Sequence, residues 1–203
     1  MCGRFCNESE IPIDELKSII DEVNRKIQKV NEAGQEQISM KVGEVFPTNI
    51  VPVLAPNKQH VATAYPMQWG FSKFDGKGQI INARSESALE KPMFRKPTLE
   101  RRCLIPATNY YEWQTVGSRK VKHALRDPVN QMIYMAGIYR YEADKQLPTF
   151  VILTRDAAPG ISYIHDRMPV ILNQDARSAW ISDSADITGI ISSAISDLLA
   201  DAV

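Results

Sequence analysis

The spacing of apolar residues predicts one amphipathic helix near the start of the chain and a series of short strands after it. Between Ile13 and Val30 the apolar residues recur at intervals of three and four, the period of one buried helix face. Pro12 suits the first turn of this helix and Gly34 its end. From about Val45, short runs rich in β-branched residues and broken by Pro and Gly are typical of strands. These runs are IVPVLAP (50–56), HVATAY (60–65), GQIINA (78–83), MIYMAGIYRY (132–141) and TFVILTR (149–155).

The C-terminal segment returns to a helical period. Its apolar positions are Ala176, Ala179, Trp180, Ile187, Ile190, Ile191, Ala194, Ile195 and Leu198. Successive strands framed by helices at the two ends predict a single α+β domain over residues 1–203. A core of this size buries roughly 70% of the unfolded surface, so the fold requires neither a disulfide nor a structural metal.

Composition narrows the class of protein. With 44% apolar and 24% charged residues, the chain has the balance of a globular protein. No apolar run approaches the ~20 residues of a membrane span, so we expect no membrane partner. The odd number of cysteines, without a CxxC pair, predicts a reducing, cytoplasmic context. The cysteines and histidines are Cys2, Cys6, Cys103, His60, His123 and His165. They form no CxxC pair and no zinc-ligand spacing, so we expect no metal and no cofactor.

Charge is distributed unevenly along a chain whose net charge is zero. There are 24 Lys and Arg against 24 Asp and Glu in total, but residues 45–172 hold 17 bases and 10 acids. This local surplus is compatible with an anionic ligand, although basic residues often only solvate a surface.

Cys2 is the first residue with unusual chemistry. Removal of Met1 would leave a terminal cysteine, whose α-amine and thiol form a 1,2-aminothiol. An α-amine has a pKa of ~7.7–8.0, so a usable fraction is neutral near pH 7 and can attack an aldehyde. The thiol can then close a five-membered thiazolidine ring. The structural alternative is a loose chain end without a role.

Three further motifs carry candidate chemistry, and each also fits a structural residue. In HDRMP, His165 supplies an imidazole for proton transfer near neutral pH. In YYEW, Glu112 is a carboxylate among aromatic residues, which suits a general acid or an ion-paired glutamate. In NARSE, Asn82 and Arg84 offer an amide and a guanidinium for a phosphate or sugar, or form a polar turn.

In their order along the chain, these motifs resemble the SRAP family of abasic-site processing proteins. The matching segments, spread over roughly residues 2–180, are MCGRF, FPT, WG, INARSE, RRCLIPATNYYEW and IHDRMPVIL. The resemblance implies a monomer with a curved, barrel-like, mainly antiparallel β core flanked by helices. It implies covalent capture of abasic sites in single-stranded DNA, including single-strand/duplex junctions, in DNA repair and the SOS response.

The resemblance also implies residue roles. Cys2 is the nucleophile, Asn82 lies beside the crosslink, and Glu112 and His165 are the catalytic acid–base pair. The residues implied to bind DNA are the phosphate-holding Arg4, Arg84 and Arg167, and Pro47 and Trp69, which flank the DNA path.

The chain departs from the family pattern in three places. Gly43-Glu44 stands where Tyr-Asn is common, which puts one polar DNA contact in doubt. Tyr110-Tyr111 replaces the usual Gly-Phe or Trp-Phe. The end at Val203 comes earlier than in many members, and we expect it to thin one edge of the DNA groove.

Two other functions fit the same residues. A thiol peptidase would use Cys2 as nucleophile with Glu112 and His165, and release of Met1 would be self-processing. A non-catalytic single-strand binding module would use Trp69 and the basic middle segment. If the protein captures abasic sites through a Schiff base, β-elimination from that intermediate should also give some abasic-site lyase activity.

Overall fold

A closed ring of strands and a five-stranded sheet form the centre of the computed structural model, which describes residues 2–33 and 37–203. The strands are β1 Arg4–Cys6, β2 Glu44–Val45, β3 Ile50–Pro56, β4 Ala62–Trp69, β5 Phe71–Ser72, β6 Gln79–Ile80, β7 Asn82–Arg84, β8 Arg102–Ala107, β9 Asn109–Val116, β10 Arg119–Arg126, β11 Ile133–Arg140, β12 Thr149–Asp156, β13 Arg167–Pro169 and β14 Leu199–Ala202. The helices are α1 Asp14–Ala33, α2 Pro92–Glu100, α3 Gln174–Trp180 and α4 Ile187–Ser192.

The larger sheet closes on itself. Its strands run in the order β11, β8, β3, β4 and β12, and pairing of β12 with β11 completes the ring. Strands β7 and β13 attach to β12 outside this ring. All pairings are antiparallel except those of β12 with β4 and β7. The predicted α+β class and the barrel-like, mainly antiparallel core are therefore confirmed.

Alternation along the barrel strands separates two apolar clusters. One includes Leu104 and Ala136 and packs under α1, whose buried face includes Leu16 and Val23. The other joins the barrel to the five-stranded sheet, whose order is β14, β10, β9, β1 and β2. Cys2 belongs to this second cluster, so its side chain packs in the interior among residues of both sheets.

The predicted N-terminal helix is confirmed with small changes at its ends. Helix α1 begins at Asp14, so Pro12 precedes its first turn instead of lying in it. The predicted stop at Gly34 falls outside the described residues. Helix α2 was not predicted, because its nine residues with Pro97 inside give a weak apolar period.

The helical prediction for the C-terminal segment is only partly correct. Helix α4 ends at Ser192. Ala194 still bonds to the Ile191 carbonyl in the turn that follows, but the Ile195 amide bonds to Ile171 and leaves the helical path. Residues 199–202 form strand β14, which pairs with the edge strand β10 from Leu199 opposite Arg126 to Ala202 opposite His123. An open strand edge favours a backbone partner, and this tertiary pairing overrides the local apolar spacing.

Candidate active site

Cys2 lies immediately before β1, which is sandwiched between β9 and β2. Its side chain is fully buried, and its Sγ lies 3.8 Å from the carbonyl oxygen of Arg4. Burial, and next the charge of Glu112, raise the pKa of the Cys2 thiol well above its usual range. The thiol is therefore protonated at neutral pH and needs a base to become a nucleophile.

Asn82 reaches Cys2 from the other sheet. It begins β7, which runs parallel to β12 with Asn82 opposite Ile152. Its Nδ2 donates a hydrogen bond to the backbone carbonyl of Cys2 at 2.8 Å. Its Oδ1 is buried and accepts no hydrogen bond from the described residues. The amide thus holds the nucleophile's backbone and presents one open acceptor beside it.

Glu112 lies in the middle of β9 on the face that also carries Tyr110, and its carboxylate is almost completely buried. The charge of Glu112 raises the pKa of both Cys2 and Tyr110, so the three groups are within electrostatic range of one another. The structure therefore joins Cys2, Asn82 and Glu112, three residues that the sequence separates by 30 to 110 positions.

Tyr110 belongs to this group although sequence reasoning did not assign it a role. It is fully buried, and its hydroxyl finds no hydrogen-bond partner among the described residues. Burial raises its pKa, and the charges of Cys2 and Glu112 raise it further. A buried hydroxyl without a partner is rare in proteins and marks a place where a ligand or water atom fits. The sequence feature that could have drawn attention to Tyr110 is the departure from the family pattern at Tyr110-Tyr111.

His123 is a second polar residue that the sequence did not single out. It lies opposite Glu112 in the β9–β10 pairing, so the two side chains share one face. Its Nε2 lies 3.1 Å from Oε1 of Gln114, and its ring contacts Tyr163 edge-on at 6.3 Å. The segment that carries His165 therefore packs over the Glu112 side of the sheet.

His165 is partly exposed and has a neighbour suited to each protonation state. Its Nδ1 accepts a hydrogen bond from the Arg167 amide at 3.0 Å, which places the proton of a neutral ring on Nε2. The same nitrogen lies 2.7 Å from Oδ1 of Asp166, a contact that suits a protonated ring. Ile164, the preceding residue, packs in the same cluster as Cys2. This arrangement suits a proton-transfer group.

The three arginines predicted to hold phosphates differ in their availability. Arg84 ends β7 and is exposed to solvent. Arg4 is partly exposed and pairs with Glu44 at 3.0 Å.

The guanidinium of Arg167 is buried in a network of ion pairs, and its predicted contact with a DNA phosphate stays a prediction. It makes two hydrogen bonds of 2.8 Å to Glu86, contacts Asp156 and donates to the Thr154 carbonyl. These carboxylates already neutralise the charge that was expected to hold a DNA phosphate. Arg167 therefore joins β13 to the end of β7 in this structure.

Trp69 lies in the core in this structure. Its indole is fully buried, stacks on Phe150 and donates from Nε1 to the Ile81 carbonyl at 3.0 Å. Its predicted place beside the DNA path stays a prediction. Pro47 instead lines a surface cavity of about 680 Å³ together with Phe74, whose side chain is 93% exposed. Phe74 was missed because a lone Phe in a polar Gly-rich turn gives no periodic signal.

The described residues contain no group of His, Cys, Asp or Glu placed to hold a metal ion. Within residues 2–33 and 37–203, the longest helices are also too short or too polar to cross a bilayer.

Comparisons with known proteins show the family of this chain. The family model described as "SOS response associated peptidase (SRAP)" matches residues 1–200. The Bacillus subtilis "Abasic site processing protein YoaM" is 31% identical over 191 residues, which cover 90% of this chain and 79% of that protein. "Abasic site processing protein YedK" of Escherichia coli is 29% identical over 186 residues, covering 89% and 79%. A solved protein of Bacteroides thetaiotaomicron has a TM-score of 0.78 over 100% of this chain and 92% of its own, at 23% identity, a likeness of fold alone.

Proposed function

This chain belongs to the SRAP family, and from that membership we propose that it captures abasic sites in single-stranded DNA as a covalent crosslink to Cys2. A role in handling abasic sites follows from the family. The crosslink is our proposal, and the observation that carries it is the hydrogen bond from Asn82 to the buried Cys2, whose thiol is within the electrostatic influence of the buried Glu112.

The reaction begins at the amine. With Met1 removed, the neutral α-amine of Cys2 attacks C1′ of the ring-opened sugar, and the aldehyde becomes a carbinolamine. Loss of water, with a proton supplied by Glu112 or His165, gives a Schiff base. The thiol then adds to the same carbon, and its proton passes to the nitrogen, which closes the thiazolidine. The raised thiol pKa supports this order, because the amine is the stronger nucleophile until a base takes the thiol proton.

The buried polar atoms of the pocket support a sugar as the ligand. Asn82 Oδ1 and the Tyr110 hydroxyl are an acceptor and a donor with no partner in the described residues. A ring-opened abasic sugar offers one free hydroxyl, at C4′, for the acceptor and the oxygen at C1′ for the donor. Arg84, exposed next to Asn82, is placed to hold an adjoining phosphate. An abasic sugar has no base edge, so we expect little sequence preference.

A denaturing gel tests the proposal. The mature protein is mixed with a single-stranded oligonucleotide that carries one abasic site, and a heat-stable band shift is expected. Undamaged DNA and a borohydride-reduced abasic site, which lacks the aldehyde, should give none. Cys2→Ser should form a Schiff base that borohydride traps but no stable crosslink, because a hydroxyl is a far weaker nucleophile than a thiol. Cys6→Ser, a nearby and partly exposed cysteine, is the matched control and should crosslink normally.

Blocking the amine tests the mechanism more strictly. A chain that retains Met1 or an N-terminal tag should lose both the Schiff base and the crosslink, since its Cys2 nitrogen is an amide. A tagged protein that crosslinks as well as the mature form would rule out the aminothiol mechanism.

The peptidase alternative makes a different prediction. A thiol peptidase attacks with a thiolate, whereas burial and Glu112 keep the Cys2 thiol protonated. Hydrolysis of peptides by the mature protein without DNA would support that alternative, and binding indifferent to an abasic site would support a non-catalytic module.

A further inference from the structure

Two cations, one carboxylate and three aromatic rings form a cluster on the face of the five-stranded sheet opposite Tyr110 and Glu112. Its members, here named the Glu44 cluster, are Arg4, Glu44, Phe46, Tyr111, Trp113 and Lys122. A single oxygen, Oε1 of Glu44, accepts from Arg4 Nη1 at 3.0 Å and from Lys122 Nζ at 2.9 Å. The carboxylate therefore occupies an anion position between two donors.

The aromatic rings hold both cations in place. The Arg4 guanidinium lies 3.8 Å from the centroid of the Phe46 ring. The Lys122 ammonium lies 3.9 Å from the centroid of the Tyr111 ring. A cation over an aromatic face is electrostatically favoured, so neither side chain depends on Glu44 alone for its position. The two donors remain arranged around the anion position when another anion replaces the carboxylate.

The cluster is open to solvent. The side chains of Arg4, Glu44 and Lys122 are 34%, 32% and 25% exposed, and their summed charge is positive. Burial raises the pKa of Glu44, but the hydrogen bonds from Lys122 and Arg4 lower it more, so the carboxylate is ionised at neutral pH. An incoming anion must therefore compete with a charged internal ligand.

We propose that the Glu44 cluster is a phosphate-binding subsite for single-stranded DNA, in which a backbone phosphate displaces Glu44 and is held by Arg4 and Lys122. The proposal rests on the proposed function for the identity of the polyanion. Arg4 begins β1 two residues after Cys2, so the subsite is close along the chain to the residue that captures the sugar. Lys122 is a DNA ligand that no motif indicated.

Glu44 then acts as a specificity residue. It weakens non-covalent binding of any single strand, whereas an abasic strand is retained by its covalent bond to Cys2. Undamaged DNA is released and damaged DNA stays bound. Replacing the carboxylate by a neutral amide should therefore strengthen binding to undamaged DNA, a direction opposite to that expected for most substitutions in a binding site.

Fluorescence anisotropy with an undamaged single-stranded oligonucleotide at several salt concentrations tests this. Glu44→Gln should bind about 3- to 10-fold more tightly, the range for two partly exposed ion pairs. Its log–log salt slope should steepen by ~0.7 for one more neutralised phosphate. Lys122→Met should weaken binding. The loss should be larger in the Glu44→Gln background, where no carboxylate competes with the phosphate for the ammonium.

Lys120→Met is the matched control. Lys120 lies on the same face of β10 two residues away, but it donates to the Thr115 hydroxyl and not to Glu44. Its substitution should change affinity less than 2-fold. Glu44→Ala serves as a second variant, with thermal unfolding to verify that each protein is folded. Unchanged or weaker binding by both Glu44 variants, or equal effects of the two lysine substitutions, would overturn the proposal.

The crosslinking assay separates this inference from the proposed function. If the parent protein crosslinks abasic DNA but Glu44→Gln binds undamaged DNA no better, only the subsite proposal fails. If the parent makes no crosslink but the affinity rises as expected, the subsite stands and the covalent mechanism fails.

Discussion

The pocket around Cys2 and the ion pairs around Arg167 differ in how their polar groups are satisfied. In the Cys2 pocket, formed by Cys2, Asn82, Tyr110 and Glu112, two buried polar atoms have no partner among the described residues. In the Arg167 cluster, formed by Arg167, Glu86 and Asp156, both terminal nitrogens of the guanidinium bind carboxylate or carbonyl oxygens, and only Nε lacks a partner among the described residues. Short motifs predicted a functional role in both regions.

The difference shows what makes a motif residue available for function. A buried polar atom without a partner costs free energy, and a bound ligand can recover that cost. A guanidinium already paired with two carboxylates gains little from a third anion. We therefore expect substitutions in the Cys2 pocket to affect mainly the reaction, and substitutions in the Arg167 cluster to affect mainly the fold.

The largest difference in crosslinking rate is expected when one glutamate in each region is replaced by glutamine. Glu112→Gln should slow crosslink formation by ~10²–10⁴-fold, because the amide cannot transfer a proton. Glu86→Gln should leave the rate almost unchanged. Single-turnover crosslinking on denaturing gels measures both. Equal rates for the parent and Glu112→Gln would remove the glutamate from the mechanism, and His165→Ala would then identify the acid–base group by slowing formation and release.

A pair of arginine substitutions sharpens the comparison. Arg167→Met should lower the free energy of unfolding by about 1–3 kcal/mol. This is less than for a fully buried pair, because Glu86 and Asp156 are 49% and 88% exposed. Arg84→Met should preserve stability but weaken binding to single strands and lower the salt slope by ~0.7. Denaturant titration and anisotropy separate the two effects. A folded Arg167→Met protein with weakened DNA binding would support the phosphate role first predicted for that residue.

The Arg167 cluster also predicts a dependence of stability on pH. The hydrogen bonds from Arg167 lower the pKa of Glu86 despite the opposing effect of its burial. A lowered carboxyl pKa contributes stability above its unfolded value of ~4.3, and this is lost as pH falls through the folded value. The stability difference between the parent and Arg167→Met should therefore be largest near neutral pH and shrink below about pH 4. Urea titrations of both proteins across this pH range test whether the stability difference changes in this direction.

The smallest effect is expected at Tyr110. Removing a buried hydroxyl that lacks a partner should keep or slightly raise stability, since its desolvation costs about 1–3 kcal/mol. Tyr110→Phe should nevertheless slow crosslinking if the hydroxyl donates to the sugar. Tyr141→Phe, at an exposed tyrosine that follows β11, is the control and should leave the rate unchanged. A marked loss of stability in Tyr110→Phe would show that the hydroxyl has a structural partner.

Much of the architecture followed from local patterns. The apolar period of α1 and the β-branched runs of β3, β11 and β12 predicted these elements almost to the residue, because burial on one or both faces imposes a period. The strands within the GQIINA run were more difficult to predict. It splits into β6 and β7, which belong to different sheets, and no local signal marks such a division.

For the site, the sequence alone determined which chemical groups are present: a potential terminal aminothiol at Cys2, and the acid–base groups Glu112 and His165. Only the tertiary structure decided which groups meet and which remain available. It brought Asn82 to Cys2, buried Trp69, paired Arg167 with carboxylates and placed Glu44 between Arg4 and Lys122. The physical reason is that burial and partnering depend on contacts between segments distant in the chain, whereas a motif specifies only the residue types within one segment.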